Sequence, residues 1–274
     1  MFNADSKIVI FYKITFFLTR LIIYLWHVVE TNNNKSLFLT LISILLTFEF
    51  NAIQVASNWH FFISVIQWRL YATFSQSFEI FLKNNFQNSN HSNRKDKLAN
   101  IRIYQCCDIS DQIDGYAKIL GRMCQISSEI NDNFGILITA VIACNYLNIT
   151  TDSYYMYFIY MSQQQIHLEN LTVFTRKYIM VFAELIATIL TIFVSNSTMY
   201  HARKLESDIG AYTSLQKLDE RLEETINTFS MQLTLQQLDI NACGLFTLDN
   251  QLCFAMISSI VSHLVVLIQF HKTT

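Results

Sequence analysis

The sequence predicts an all-α fold, a polytopic transmembrane helix bundle of about five spans with long cytosolic helical extensions. Hydrophobic residues make up 52% of the 274 residues and charged residues only 15%, whereas a soluble domain carries about 25% charge. Several apolar stretches reach the roughly 20 residues that a helix needs to cross a bilayer. The chain has no proline and five glycines, which favours long, uninterrupted helices.

Five apolar stretches are the predicted spans: Ile8–Val29, Leu37–Ala56, Phe134–Tyr160, Tyr178–Tyr200 and Leu245–Phe270. Lys13 and Arg20 interrupt the first stretch, and both side chains can snorkel towards water. Residues 58–86 show helical periodicity with a polar stripe. We interpret them as the second span continuing out of the membrane as one long helix, with a sixth span as the alternative.

Basic residues are distributed unequally between the two sides of this topology. Thirteen of the 19 Lys and Arg residues lie in the segments 1–7, 57–133 and 201–244, and four lie on the opposite side. Lys and Arg concentrate in the cytosolic loops of membrane proteins. The sequence therefore predicts a multi-pass plasma-membrane protein with a cytosolic N-terminus and an extracellular C-terminus.

The cytosolic segments carry amphipathic patterns. A polar linker at 85–97 is followed by apolar residues at helical spacing up to Phe134, and a second such stripe runs from Leu215 to Leu233. We expect these stripes to pack into a helical bundle below the membrane. The alternative is a helix lying on the membrane surface, which the acidic residues within 219–224 disfavour because inner-leaflet lipid is anionic.

These patterns divide the chain into five predicted segments. Residues 1–84 hold the first two spans and a cytosolic helix extension, and residues 85–133 hold the linker and an amphipathic helix. The third and fourth spans occupy 134–200, a cytosolic anchor helix occupies 201–244, and the last span occupies 245–274.

The chain shows no sequence motif of an enzyme. A phosphate loop, a Gly-x-Ser-x-Gly elbow and a His-Glu-x-x-His zinc motif are all missing from the sequence. We therefore predict no catalytic residue, no cofactor and no metal site. The net charge of −2 offers nothing to a nucleic acid, so no nucleic-acid partner is expected.

Ionisable residues inside spans are candidates for ligand binding because they are costly to keep there. Glu49 and Glu184 lie near the middle of their predicted spans, and Tyr154 and Tyr157 lie near the outer end of the third. We predict these four as ligand-binding candidates. The alternatives are an interhelical hydrogen bond for each glutamate and an interfacial aromatic belt for the tyrosines.

The end of the chain carries the most specific pattern. Ala242, Gly244, Phe246, Leu248 and Asp249 precede the last span, which ends in Ser262-His263, five apolar residues and Gln269-Phe270. This pattern resembles the C-terminal signature of insect gustatory receptors, in which Thr-Tyr, five apolar residues and Gln-Phe close the last helix. Ser-His replaces Thr-Tyr here. The stretch Ile130–Gly135 also resembles the family.

The resemblance implies a fold and an activity. Members are seven-helix proteins with a cytosolic N-terminus, related to odorant receptors, which are tetrameric cation channels lined by the last helix. It implies a gustatory-receptor-like subunit of a tetrameric, ligand-gated, non-selective cation channel that detects tastants or related small molecules. The implied partners are a small-molecule tastant, the lipid bilayer, permeating cations and related receptor subunits. Five predicted spans against seven imply an N-terminally short member in which ligand recognition is incomplete.

Within that implied channel, one face of the last helix is the predicted pore lining. Ser258, Ser262, Val265 and Gln269 follow at steps of four, three and four residues, which places them on one face. The alternative is that they pack against neighbouring helices. Other functions left open are a G-protein-coupled-receptor-like protein, which the missing proline disfavours, a transporter, and a truncated membrane protein without conductance.

Overall fold

The computed structural model describes residues 7–15, 17–19, 21–22, 37–87, 98–162, 168–213, 220–235 and 240–273. The side chains of 37–54 and those at several helix ends lie outside this description. The helices are α1 (described parts of 7–22), α2 (Leu37–Leu82), α3 (Leu98–Ser162), α4 (Leu168–Thr213), α5 (Glu220–Leu235) and α6 (Asn250–Thr273). A π-helical turn, Lys83–Gln87, follows α2, and two short strands, β1 (Asn241–Ala242) and β2 (Phe246–Thr247), precede α6. The predicted all-α class is confirmed.

Three of the helices are much longer than a bilayer is thick. Helix α3 has 65 residues, and α2 and α4 have 46 each. At 1.5 Å per residue, α3 is about 98 Å long, roughly three times the hydrocarbon thickness of a membrane. The helices run this far without interruption because no proline breaks their hydrogen-bond ladders. Residues 58–82 indeed continue the second predicted span as one helix.

Three helical segments within the described residues are long and apolar enough to cross a membrane. They are Cys106–Ile159, Phe174–Gly210 and Asn250–Phe270, and the third, fourth and fifth predicted spans fall on them. The first predicted span, Ile8–Val29, is helical where it is described, and its remaining residues lie outside the described part. In the second predicted span, Leu37–Ala56, the side chains up to residue 54 also lie outside the described part of the chain.

The last span begins later than predicted. Residues 245–249 belong to a turn around β2 rather than to a helix, and α6 starts at Asn250. Asp249 sets this boundary, because its Oδ1 accepts a hydrogen bond from the backbone N of Leu252 at 3.0 Å. An aspartate in this position caps the unsatisfied N–H groups at a helix start. Thr247 Oγ1 donates to Asp249 Oδ2 at 3.0 Å and holds the cap in place.

The chain forms two compact units. The first contains 1–65, 134–195 and 241–274, and the second contains 66–133 and 196–240. Helices α2, α3 and α4 therefore contribute residues to both. A small core in the first unit joins Ile149, Val181 and Ile260, with Tyr146, Met156, Leu185 and Leu264 packed around it.

The second unit has an aromatic and aliphatic core. Helix α5 buries one face in it, formed by Leu222, Ile226, Phe229 and Leu233. These residues are four of the stripe predicted for this segment, so the interpretation as a packed helix is confirmed for α5. Burying each such side chain contributes on the order of 2 kcal/mol relative to its exposure to water.

One polar residue interrupts the apolar stripe of α3, and the structure explains it. Ser127 is buried and accepts a hydrogen bond from Gln67 Nε2 at 3.2 Å. The Tyr71 hydroxyl lies 3.3 Å from Ser127 Oγ and 3.7 Å from the Cys124 sulfur. Burial raises the pKa of the Tyr71 phenol above its usual value of 10. This small network fixes α2 against α3 inside the second unit.

Candidate functional site: the last helix and a buried polar cluster

Helix α6 is apolar but packs little against the rest of the described chain. Only 6% of its most apolar stretch is buried, against 39% and 44% for the other two membrane-capable segments. Its exposed residues include Phe254, Val261, Val265 and Phe270. Apolar surface of this extent has to be covered by lipid or by other protein.

All four predicted pore-lining residues lie on exposed parts of α6. Ser258, Ser262 and Gln269 are exposed, and Val265 is 48% exposed. The structure therefore does not pack these four side chains into the core of this chain. Their role as a pore lining stays a prediction.

The opposite face of α6 is attached to α3 by a polar contact. The hydroxyl of Tyr146 lies 2.8 Å from Ser259 Oγ and 2.9 Å from His263 Nδ1. The two rings meet edge to face, with centroids 6.0 Å apart at 89°. Ile260 and Leu264 pack beside this contact, which we call the Tyr146 latch.

The tautomer of His263 follows from its surroundings. Its Nδ1 also lies 2.8 Å from the backbone carbonyl oxygen of Ser259. A carbonyl oxygen only accepts hydrogen bonds, so Nδ1 carries the proton and donates it there. His263 stands where the resembling signature has Tyr, and α3 meets it with a hydroxyl. Sequence reasoning did not identify Tyr146, because its partners are more than 110 residues away.

The turn before α6 packs closely on α3. The backbone of β1 and β2 pairs antiparallel, and Cys243 and Gly244 between them have φ angles of 53° and 69°. A Cβ added at Gly135 would lie 3.2 Å from the backbone N of Cys243 and 3.4 Å from its sulfur. Two of the stretches that carry the family resemblance, Ile130–Gly135 and Ala242–Asp249, thus meet at this contact. Sequence comparison indicated both stretches but not their proximity.

Lys13 is buried within the first unit rather than extended towards water, which the sequence had left possible. It is only 5% exposed, and its Nζ donates to the carbonyl oxygen of Ala187 at 3.3 Å and to Thr191 Oγ1 at 3.4 Å. The ammonium also lies 4.9 Å from the centre of the Phe61 ring. Burying a charge away from water is costly unless such partners satisfy it. Lys13 therefore ties α1 to α4 within the first unit.

Further buried polar residues surround Lys13. Asn145 Nδ2 donates to Thr188 Oγ1 at 3.0 Å, and the Thr188 hydroxyl donates to the carbonyl oxygen of Glu184 at 2.9 Å. His60 is buried beside Ser64, with 3.3 Å between Nε2 and Oγ. Lys13, His60, Asn145 and Thr188 line a cavity of about 20 Å³, which is room for about one water molecule. This cavity is too small for a drug-sized ligand, which occupies about 300 Å³ or more.

The predicted ligand-binding residues are not brought together around this cavity. Glu184 is only 3% exposed and lies one helical turn from Thr188. Tyr154 and Tyr157 are half-buried on α3 and do not line the cavity. The side chain of Glu49 lies outside the described residues. The assignment of these four residues to ligand binding stays a prediction.

Comparison with known proteins decides the family. Residues 6–274 match the sequence model of the family described as 7tm Chemosensory receptor. The chain belongs to the 7tm chemosensory receptor family. The resemblance predicted from the C-terminal signature is thereby confirmed. The family and the apolar helices together make the chain a multi-pass membrane protein of the chemosensory type.

Individual relatives support the same assignment. The chain is 26% identical over 175 residues to the Drosophila melanogaster gustatory receptor for bitter taste 93a. The aligned residues make up 63% of this chain and 39% of that receptor. The chain is 23% identical over 172 residues to gustatory receptor for bitter taste 66a of the same species, covering 60% of this chain and 31% of the relative. The matched part thus spans about two fifths or less of these 7tm chemosensory receptors. They are receptors rather than enzymes.

Proposed function

We propose that this chain is a subunit of a tetrameric, ligand-gated, non-selective cation channel in the plasma membrane. Four copies of α6 surround the pore, with Ser258, Ser262, Val265 and Gln269 facing it. The N-terminus and the second unit lie in the cytosol, and the C-terminus lies outside. The channel opens when a small-molecule tastant binds more tightly to the open arrangement than to the closed one.

The observation that carries this proposal is the exposure of α6. A helix that is apolar enough to span the membrane, yet only 6% buried along its most apolar stretch, offers a whole face to something outside this chain. Lipid offers no hydrogen bond to the exposed hydroxyls of Ser258 and Ser262. A water-filled pore between copies does.

The chemistry of this face suits cations. Val265 forms the narrow apolar ring, and Gln269 forms a ring of neutral amides nearer the outer mouth. Amide oxygens replace part of the hydration shell of a cation without holding it as firmly as a carboxylate does. Such rings admit several monovalent cations, which accounts for the proposed lack of selectivity.

The proposed ligand class comes from the relatives. Both relatives named above are gustatory receptors for bitter taste, so we propose that small bitter compounds are the first ligands to test. The predicted residues Glu49, Glu184, Tyr154 and Tyr157 are the positions at which we expect substitutions to change ligand response.

Two adjacent valines provide the sharpest test of the pore. Val265 and Val266 are 48% and 47% exposed, and they point about 100° apart around the helix axis. In a background with Cys243 and Cys253 replaced by Ser, Val265→Cys and Val266→Cys channels are treated with a charged thiol reagent during agonist-evoked current recording. We expect the reagent to block Val265→Cys and to leave Val266→Cys unchanged.

The outcomes separate the parts of the proposal. Equal sensitivity of the two variants would remove Val265 from a water-filled pore. A chain that reaches the cell surface but carries no current with any ligand or partner subunit would refute the channel function. A C-terminal tag that antibodies reach only after permeabilisation would refute the orientation. Gln269→Ala should change ion permeability, and unchanged permeability would exclude Gln269 from the pore.

A further inference from the structure

Arg69 on α2 has a guanidinium edge without an acceptor. Its Nε and Nη2 atoms are buried, and no hydrogen-bond partner reaches either atom within the described residues. The indole ring of the neighbouring Trp68 lies 4.8 Å from the guanidinium carbon. A ring face interacts with the charge but satisfies no N–H donor. Buried charged donors normally have partners, so this edge indicates a binding group that this chain does not supply.

A second buried nitrogen without a partner among the described residues lies on another helix of the second unit. His201 on α4 also has a buried ring atom, Nδ1, with no hydrogen-bond partner in the described part of the chain. The charged groups that act on His201 are Lys204 and Arg69. Arg69 and His201 therefore place buried nitrogen atoms without partners among the described residues on two separate helices of the second unit, and the two groups are close enough for their charges to interact.

Of the two carboxylates in this region, Glu79 pairs with lysines, whereas Oδ2 of Asp208 is buried without a hydrogen-bond partner among the described residues. Glu79 accepts from Lys83 Nζ at 2.5 Å and from Lys204 Nζ at 2.7 Å. The charges of Lys204, Glu79 and Lys83 act on the Asp208 carboxyl group. Glu79 and Asp208 equal Lys83 and Lys204 in number, and Arg69 adds one further positive charge. The missing group is accordingly an anion with at least two acceptor oxygens, since the Nε and Nη2 atoms of arginine form a two-pronged donor.

The position of His201 along the chain suggests the source of the anion. It directly follows the predicted span Tyr178–Tyr200, which in the proposed orientation ends at the cytosolic surface of the membrane. Basic pockets at this level bind the headgroups of anionic lipids. A phosphomonoester on a lipid headgroup carries about −1.5 to −2 charges and three acceptor oxygens.

We propose that Arg69 and His201 bind the phosphate of a phosphorylated inositol lipid in the inner leaflet. The Nε and Nη2 edge of Arg69 holds two phosphate oxygens, and Nδ1 of His201 donates to the third. The Trp68 ring lies 4.8 Å from the guanidinium carbon, so we expect its fluorescence to report binding. The inference rests on the proposed cytosolic position of the second unit.

The test measures binding without any channel current. The purified full chain in neutral detergent, with Trp26 and Trp59 replaced by Phe, is titrated with dioctanoyl phosphatidylinositol bisphosphate while Trp68 fluorescence is followed. Dioctanoyl phosphatidylcholine and inorganic phosphate are titrated in parallel. We expect saturable binding of the inositol lipid, with neither comparison compound binding in the same concentration range.

Matched variants locate the site. Arg69→Gln and Arg69→Lys should both weaken binding by roughly tenfold or more, since lysine keeps the charge but not the two-pronged donor. His201→Gln should weaken it by a smaller factor. Arg221→Gln is the control, because Arg221 is an exposed arginine of the same unit that pairs with Asp111 at 2.8 Å, and we expect its binding to stay within about twofold. Circular dichroism of each variant confirms that it is folded.

The results that overturn the proposal are distinct from those that refute the channel. Equal binding by Arg69→Gln and Arg221→Gln would overturn it, as would equal binding of the choline and inositol lipids. Inorganic phosphate binding as tightly as the lipid would identify a free-anion site instead. A chain that binds the inositol lipid but carries no current would leave this inference intact and remove only the channel function.

Discussion

Replacing Tyr146 with Phe should weaken the attachment of α6 by about 1 kcal/mol. The substitution removes only the hydroxyl that contacts Ser259 Oγ at 2.8 Å and His263 Nδ1 at 2.9 Å. Hydrogen bonds between membrane helices contribute about 0.6 kcal/mol each on average and up to about 1.7. The loss is that of one full bond, between the Tyr146 hydroxyl and Ser259 Oγ, and of a share in the single Nδ1 proton of His263, which keeps its bond to the Ser259 carbonyl oxygen. No buried donor is therefore left without an acceptor, which would cost up to about 3 kcal/mol.

The assay is reversible unfolding of the purified chain in mixed micelles, titrated with a denaturing detergent. Tyr155→Phe is the matched control, because Tyr155 lies on the same helix and is 43% exposed. A double-mutant cycle of Tyr146→Phe with His263→Phe then isolates the part of the loss that depends on the pair.

Two results would refute the reasoning about the Tyr146 latch. The first is a loss for Tyr146→Phe no larger than the loss for Tyr155→Phe. The second is a coupling energy between positions 146 and 263 below about 0.3 kcal/mol, which is the range seen for independent sites. Either result would mean that apolar packing by Ile260 and Leu264 alone attaches α6.

Two further predictions concern a glycine pair and an acid titration. Gly115→Ala should stabilise α3 by roughly 0.5 to 1 kcal/mol, since nothing lies within 4 Å of an added Cβ there. In Gly135→Ala the same gain should be cancelled, because the added Cβ would lie 3.2 Å from the backbone N of Cys243. Equal stability of the two variants in the same unfolding assay would contradict this close contact. Lys204 and Lys83 lower the pKa of Glu79 from 4.5 to about 2. The stabilisation by this carboxylate is therefore complete above pH 4.5 and lost as the pH falls towards 2. The free energies of unfolding of wild type and of Glu79→Gln should accordingly converge over that window. A difference that stays constant with pH would exclude the pairing.

The features predicted from the sequence are those that a periodic pattern records. The stripe of α5 predicted Leu222, Ile226, Phe229 and Leu233, and these side chains are buried together. The missing proline predicted long helices, and α3 runs for 65 residues. Periodicity records which face of a helix avoids water, so it predicts burial well even without knowledge of the partner helix.

The polar contacts could not be predicted in the same way. Lys13 carried a pattern consistent with snorkelling, yet its ammonium bonds to Ala187 and Thr191 on α4. Asn145 and Thr188 interrupt apolar spans, which marks them as unusual but does not indicate that they bond to each other. A hydrogen bond needs a specific pair of atoms in a specific geometry, and sequence separation hides such pairs. Only the presence of a buried polar residue, and not its partner, is readable from the pattern.

The C-terminal signature combines two different constraints on one helix. His263 belongs to the face that this chain itself attaches, through Tyr146 and the Ser259 carbonyl oxygen. Ser262 belongs to the exposed face, outside the described core. A change on the attached face can be absorbed by its partner within the chain, and a hydroxyl on α3 suits either a phenol or an imidazole at 263. The residue types on the exposed face are constrained by what surrounds the helix outside this chain. In the proposed tetramer, these surroundings are water and permeating ions.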